Sequence, residues 1–286
     1  MAISYSHKFG QMIGDLVEGA VEITLKKFAS DHALFFDKKG IRPTRTGKKL
    51  TWTDKYGNKH DLDIVLEKGG TDKKLGTPAA FIELAWRSYT KHSRNKVQEI
   101  QGAVLPLIER YKDYHPFKGA ILAGNFTEPS IQQLKSLGFC VLYLPHKTVV
   151  AAFKKFGVDS SFDEETSEAD FMAKIKGLEG LSTTQRAGVA AEIIRINEDI
   201  VNNFLESLKT SITRQINSVF VIALHGNETK LLSVEDAIIF LNDYSEDIGS
   251  LPVFKYEILI RYNNGDDIKA TFQERADAIK FLSGYK

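Results

Sequence analysis

Apolar residues recur near a 3.6-residue period from Phe9 to Phe28, at Met12, Ile13, Leu16, Val17, Ala20, Ile23 and Leu25, which predicts an amphipathic helix with Glu18 at the edge of its stripe. The pattern then changes. Leu50 to Asp54 and His60 to Glu67 flank K-Y-G-N-K, and two strand-like runs around a Gly-Asn turn predict a β-hairpin. A polar, glycine-rich loop leads into a third strand, Ala79 to Arg87. Ser93 is a candidate N-cap for a helix to about Lys112, with Val97, Ile100, Val104, Leu107, Ile108 and Tyr111 on its buried face and Pro106 expected to kink it. Then follow a strand in G-A-I-L-A-G-N-F, a helix from Ser130 to Gly138, a strand in F-C-V-L-Y-L and a helix from Thr148 to Phe156.

Strand, helix, strand at that length is a parallel crossover. The fold class is therefore α/β: a mixed sheet with an antiparallel hairpin, a central strand and a parallel pair, flanked by helices. The acidic stretch D-S-S-F-D-E-E-T-S-E-A-D marks a boundary, so residues 1–158 read as the first domain and 159–217 as a helical connection. Residues 218–286 read as an α+β region holding a degenerate repeat. Ala237, Phe240, Leu241 and Tyr244 recur at a constant offset as Ala278, Phe281, Leu282 and Tyr285, each in a strand, turn, strand, helix context. Two ββα units of this kind can share one small sheet.

Composition narrows the functional classes. The chain has 286 residues, 43% hydrophobic and 26% charged, with a net charge of +1. That balance fits a globular protein without a global basic field, so any nucleic-acid site must come from local clusters of Lys and Arg. Cys140 is the single cysteine, which excludes internal disulfides and thiolate zinc sites. No apolar run reaches the roughly 18 residues of a membrane span, and the N-terminus lacks a signal-peptide core. The expectation is a cytoplasmic protein with no membrane association. No G-x-x-x-x-G-K-[ST] loop is present, so ATP-driven translocation is not encoded.

The chemistry concentrates in two strands. Asp63 interrupts D-L-D-I-V-L and Glu83 interrupts A-A-F-I-E-L-A-W. Burying acids without a partner costs several kcal/mol per ion. If the strands are neighbours, the two carboxylates meet, and with a backbone carbonyl they make a hard, oxygen-rich site suited to Mg²⁺. Asp61 and Glu67 share the face of Asp63 by alternation. A basic run follows, with Arg87, Lys91, His92, Arg94 and Lys96. Cations at a helix start oppose its dipole, which points to an anionic partner.

Hairpin, acid, about twenty residues, F-I-E-L-A, then a basic run and a helix: this order resembles the PD-(D/E)XK phosphodiesterase superfamily, the fold of many type II restriction endonucleases. The resemblance spans about residues 10 to 158, with the motif on Leu62-Asp63 and Glu83-Leu84-Ala85. Leu62 stands where the family has proline, and Ala85 where it has lysine. It implies a Mg²⁺-dependent type II DNA endonuclease with Asp63, Glu83 and the Leu84 carbonyl as metal ligands. Glu18 would be the extra acid of the first helix, and the missing lysine would come from Lys96, or else Lys91. Arg42, Arg45 and Lys48 of the basic Lys38–Lys49 loop, with Arg87, His92 and Arg94, would bind DNA phosphates. It further implies double-stranded DNA as substrate, a homodimer and a partner methyltransferase. Two other readings stand beside it: a structure-specific repair or junction nuclease, and a non-catalytic DNA-binding protein on an inactivated nuclease scaffold.

Overall fold

The first apolar stripe forms one long helix, α1 (Tyr5–Asp31), capped by the Ser4 hydroxyl, which accepts from the His7 N–H at 3.3 Å. Its buried face runs Phe9, Ile13, Val17, Val21, Leu25 and Phe28. Ile23 falls off that register and is 65% exposed, against the expected stripe. The computed structural model describes residues 4–224, 227–246 and 253–285.

Five strands make the main sheet, in the order β1-β4-β5-β6-β7. They are β1 (Leu34–Lys38), β4 (Ile64–Lys68), β5 (Thr77–Arg87), β6 (Phe117–Gly124) and β7 (Cys140–Pro145). The β1-β4-β5 side is antiparallel and β5-β6-β7 is parallel. The parallel half is built by crossovers through α2 (Ser93–Arg110) and α3 (Glu128–Ser136), and α4 (His146–Lys154) follows β7. Pro106 lies inside α2, which continues past it to Arg110. This is a mixed α/β architecture.

The hairpin differs from expectation in one instructive way. β2 (Leu50–Thr53) and β3 (Lys59–Leu62) pair only with each other, around a turn in which Gly57 takes a φ of +88°. The run from His60 to Glu67 is therefore two strands. Its first half belongs to the hairpin and its second, β4, to the main sheet, with Asp63 at the break.

The two sheet faces bury different partners, as alternation along β5 requires. Ile82 lies in the cluster with Phe9, Ile13 and Val17 of α1, with Leu84 and Trp86 packed against it. Phe81 and Ala85 lie in the cluster with Val97, Ile100 and Val104 of α2. The α1 side is closed by α5 (Glu168–Glu179), α6 (Thr183–Ile196) and α7 (Glu198–Ile212). Phe171, Ile175, Val189, Ile193, Phe204 and Leu208 of these helices are part of its core. The segment expected as a connection after 158 thus completes the first unit, which runs to Ile212.

The second unit, from Thr213, holds β8 (Ile216–Ala223), β9 (Glu228–Leu231), α8 (Val234–Asp243), β10 (Tyr256–Tyr262), β11 (Asp267–Phe272) and α9 (Arg275–Ser283). Its strands form one antiparallel sheet, β11-β10-β8-β9. The offset seen in the sequence is visible in space. Ala237 and Leu241 of α8 and Ala278 and Leu282 of α9 are all buried in one cluster. Phe240–Tyr244 and Phe281–Tyr285 form matching ring pairs at 5.5 and 5.1 Å. Among the described residues, no helix is long and apolar enough to cross a membrane.

Candidate active site

β5 outruns its antiparallel neighbour. Pairing with β4 ends at Ile64–Ile82, while β5 continues to Arg87 with β6 on its other edge. The chain break at Asp63 fills the gap. The Asp63 Oδ2 accepts the Leu84 N–H at 2.8 Å, and the Asp63 N–H donates to the Glu83 Oε1 at 3.3 Å. Each acid is thus tied to the backbone of the other strand. Amide and carbonyl of one strand residue point to the same side, so the Leu84 carbonyl faces the same opening.

Glu83 is 6% exposed. Burial first, and the nearby charge of Asp63 second, push its carboxyl up to about 8, against the pull of the Lys96 ammonium. Lys96 lies in the first turns of α2, its side chain 21% exposed and 3.3 Å from Glu99. Glu18 reaches toward the pair from α1. Burial raises its carboxyl above the ordinary range, Lys39 lowers it, and Asp63 raises it further. A Lys39–Glu18 contact of 3.9 Å offsets part of that charge.

Among the described residues, no group of three His, Cys, Asp or Glu side chains is placed to hold a metal ion. A cation here would rest on Asp63, Glu83 and the Leu84 carbonyl. These fit a hard divalent ion on two counts. All the donors are oxygens, and among the described residues neither Asp63 nor Glu83 has a salt-bridge partner, the charge of Lys96 acting on Glu83 from a distance.

Arg42 and Arg45, expected on DNA phosphates, are committed elsewhere. Arg42 is 3% exposed. It donates to Asp37 at 2.6 Å, to both Glu67 oxygens at 2.5 and 3.0 Å, and to the carbonyls of Thr71 and Lys74 at 2.7 and 2.8 Å. Arg45 donates to the same Asp37 at 2.5 Å and to the Lys38 and Gly40 carbonyls. Two buried acids drew both guanidiniums inward. Glu67 is therefore remote from the role suggested by its shared face with Asp63, because a register shift at Leu66/Glu67 turns it into this hub. Asp61 is exposed and bonds Thr51 and Lys49 at 2.6 and 2.5 Å.

The remaining cations are available. Lys48, Lys91, His92 and Arg94 are exposed. The Lys91 ammonium lies 5.8 Å from the Tyr89 ring centroid. Arg87 is half-buried, donating to the Trp86 carbonyl at 3.1 Å.

Next to the acids opens a cleft of about 720 Å³ between α1 and the β5–α2 connection, lined by Glu18, Leu84, Trp86, Ser88, Tyr89 and Asn95 among others. Glu18, Leu84, Arg87 and His92 of its lining were expected at the site, whereas Ser88, Tyr89 and Asn95 were not, although α1 carries a signal. Gly10 and Gly14 are one turn apart, and a Cβ there would stand 2.6 Å from Ser88 Oγ and 3.3 Å from Trp86 Cβ. Two glycines on one helix face mark a close approach of another element.

No protein-family model matches the chain, and no curated protein matches it. Among solved structures it resembles a crystal structure described as "Protein of Unknown Function AF1548", at 9% identity over 69% of this chain and 98% of that one, with a TM-score of 0.30. A likeness that slight carries no argument about fold or function.

Proposed function

We propose that this chain is a Mg²⁺-dependent DNA endonuclease, as its likeness to the PD-(D/E)XK pattern implies. The observation that carries the reading is the clasped pair Asp63 and Glu83 at a strand end, Glu83 buried and Asp63 half-buried, with the charge of Lys96 acting on Glu83 from the next helix. Perturbed carboxyls beside a cleft are more frequent at functional sites than elsewhere.

Asp63, Glu83 and the Leu84 carbonyl hold the ion in this reading. When bound, it supplies Lewis-acid polarisation of a phosphoryl oxygen and lowers the pKa of water. The chain's own residues do the rest. The reciprocal backbone bonds keep both carboxylates oriented, so little reorganisation is needed on binding. Lys96 orients the attacking water and balances the charge that develops on the scissile phosphate. Lys91, Arg94 and Lys48 meet flanking phosphates, which set affinity more than sequence preference.

Site-specific cleavage of duplex DNA by a homodimer is the finer form of this proposal and rests on the resemblance alone. The structure-specific form has an observation in its favour, a cleft of about 720 Å³ lined by Glu18 and Leu84. Plasmid and oligonucleotide digests in Mg²⁺ test the activity. Asp63→Ala and Glu83→Ala should each abolish cleavage, while binding in Ca²⁺ weakens only modestly. Cleavage retained by both variants removes the assignment. Calorimetry showing no Mg²⁺ or Ca²⁺ binding favours the inactive scaffold instead.

A further inference from the structure

We infer that the cleft beside the acid pair binds one unpaired DNA strand, so that the substrate is single-stranded or splayed DNA rather than an intact duplex. This rests on the nuclease reading above and names its substrate class.

The size comes first. About 720 Å³ lies within the roughly 300–1,000 Å³ of pockets that hold one small ligand. That suits a nucleotide or two and falls far short of a paired helix. Position comes next. The cleft is lined by Glu18 and by Leu84, whose N–H donates to the Asp63 carboxylate, so a strand lying in it passes near Asp63.

The lining chemistry points the same way. Trp86 and Tyr89 are aromatic residues of the lining, and both are held in place. Tyr89 sits edge-on to Phe162 at 5.6 Å and 82°. Trp86 spends its single donor on Ser88 Oγ at 3.2 Å and lies 6.0 Å from the His146 ring. Rings fixed in advance lose little entropy when a base stacks on them, and every base has a face to stack. Ser6, Gln11 and Asn95 add neutral hydrogen-bonding groups for base edges.

The charge argues against a duplex. Asp15, Glu18 and Glu99 line the cleft against one permanent cation, Arg87. Two phosphate backbones need rows of Lys and Arg, whereas one strand needs a single basic track beside its stacking rings, which Arg87 and the exposed Lys91 and Arg94 of the adjoining segment supply. Gly10 and Gly14 let α1 approach Ser88 and Trp86 closely, since a Cβ at either would crowd the Ser88 hydroxyl at 2.6 Å or the Trp86 Cβ at 3.3 Å.

Trp86 itself reports occupancy. The chain has two tryptophans, and Trp52 is buried at 4% exposure. Full-length protein in Ca²⁺ is titrated with oligo(dT) and with a blunt duplex of equal length while indole fluorescence is followed. Oligo(dT) should quench saturably and bind at least tenfold more tightly than the duplex. Tyr89→Ala should weaken oligo(dT) binding by roughly five- to a hundredfold, the scale of one lost stacking contact, and Tyr89→Phe should restore it. Equal affinity for the duplex, no quench by oligo(dT), or a folded Tyr89→Ala within twofold of wild type would each overturn the inference. If Tyr89→Ala does not fold, the wild-type titration decides alone. The readout needs no turnover: strand binding without cleavage discards the nuclease reading, and duplex cleavage without quenching discards only this one.

Discussion

Removing the charge of Glu83 while keeping its shape should make the metal-free protein more stable, and increasingly so as pH rises. Glu83→Gln retains an oxygen to accept the Asp63 N–H, a bond of 3.3 Å in the wild type. The wild-type carboxyl is raised from an ordinary value of 4.5 to about 8. Its proton is thus held more tightly in the folded state than in the unfolded chain. Stability from this group is full below the unfolded value and is lost as pH rises through the folded one. Each pH unit between the two costs about 1.36 kcal/mol. From pH 5.5 to 8.5 the advantage of Glu83→Gln should therefore widen by roughly 3 kcal/mol, most of it below pH 8.

For a unit of this size, 1 kcal/mol moves Tm by about 2–4 °C, so the widening should appear as roughly 6–12 °C. Thermal melts in EDTA across that pH range, wild type against variant, measure it directly. Taking the difference cancels the contributions of other groups with shifted pKa values, Glu18 (raised) and His146 (lowered) among them. Mg²⁺ or Ca²⁺ should recover stability for the wild type at pH 8 and leave the Gln variant unchanged, because a ligand stabilises only the state that binds it. Parallel pH profiles, or an equal metal response in both proteins, would show that Glu83 is not the uncompensated charge described here.

Lys96→Ala should slow single-turnover cleavage at saturating protein by about a hundredfold or more, whereas Lys91→Ala should weaken binding and lower its salt slope by about 1; the reverse pattern exchanges their roles. A chain ending at Ile212 should fold with a cooperative melt by circular dichroism, since its core closes without the second unit, and a broad, non-cooperative melt would contradict that. Arg42→Ala should destabilise by about 3–5 kcal/mol in urea unfolding, because Asp37 and Glu67 lose their common partner. An unchanged midpoint with lost DNA binding would return Arg42 to a phosphate role.

What the sequence disclosed depended on how local the determinant was. β5, α2 and the β6-α3-β7 crossover are legible because each is an apolar run or a 3.6-period face bounded by polar residues. The approach of Asp63 to Glu83 is legible for a similar reason, since a polar residue inside an apolar strand is conspicuous. The break at Asp63 is not. H-D-L-D-I-V-L-E reads as one strand, and only the competition between the hairpin and the main sheet divides it. Arg42 and Arg45 resembled a solvated basic loop because their acids, Asp37 and Glu67, come from two separate strands. The strand β1 was overlooked for the same cause: F-F-D-K merges into the lysines after it, and its pairing with β4 spans a long loop. The place of α5 to α7 in the first core is likewise a tertiary fact. Ala190, Val201 and Leu208 mark helix faces without naming the sheet they cover.

Ala85 gains a physical meaning from this geometry. Alternation puts it on the same side of β5 as Glu83, and it is 3% exposed against Val97 and Ile100 of α2. A lysine at 85 would have to lie within that apolar cluster or push α2 away from the sheet. With alanine there, α2 closes on β5. Its first turn is tied down by the buried Ser93 hydroxyl, 3.1 Å from Ser130 and 3.3 Å from Thr127 at the start of α3. With α2 so placed, the charge of Lys96 acts on the Glu83 carboxyl and pulls its pKa down. Under the nuclease reading, the small residue and the lysine of the next helix are one arrangement, Lys96 supplying from α2 the charge that a lysine at 85 would have brought. Under the nuclease reading, Ala85 is no argument for an inert scaffold, because the site that lacks a lysine on its strand has one on the helix that alanine admits.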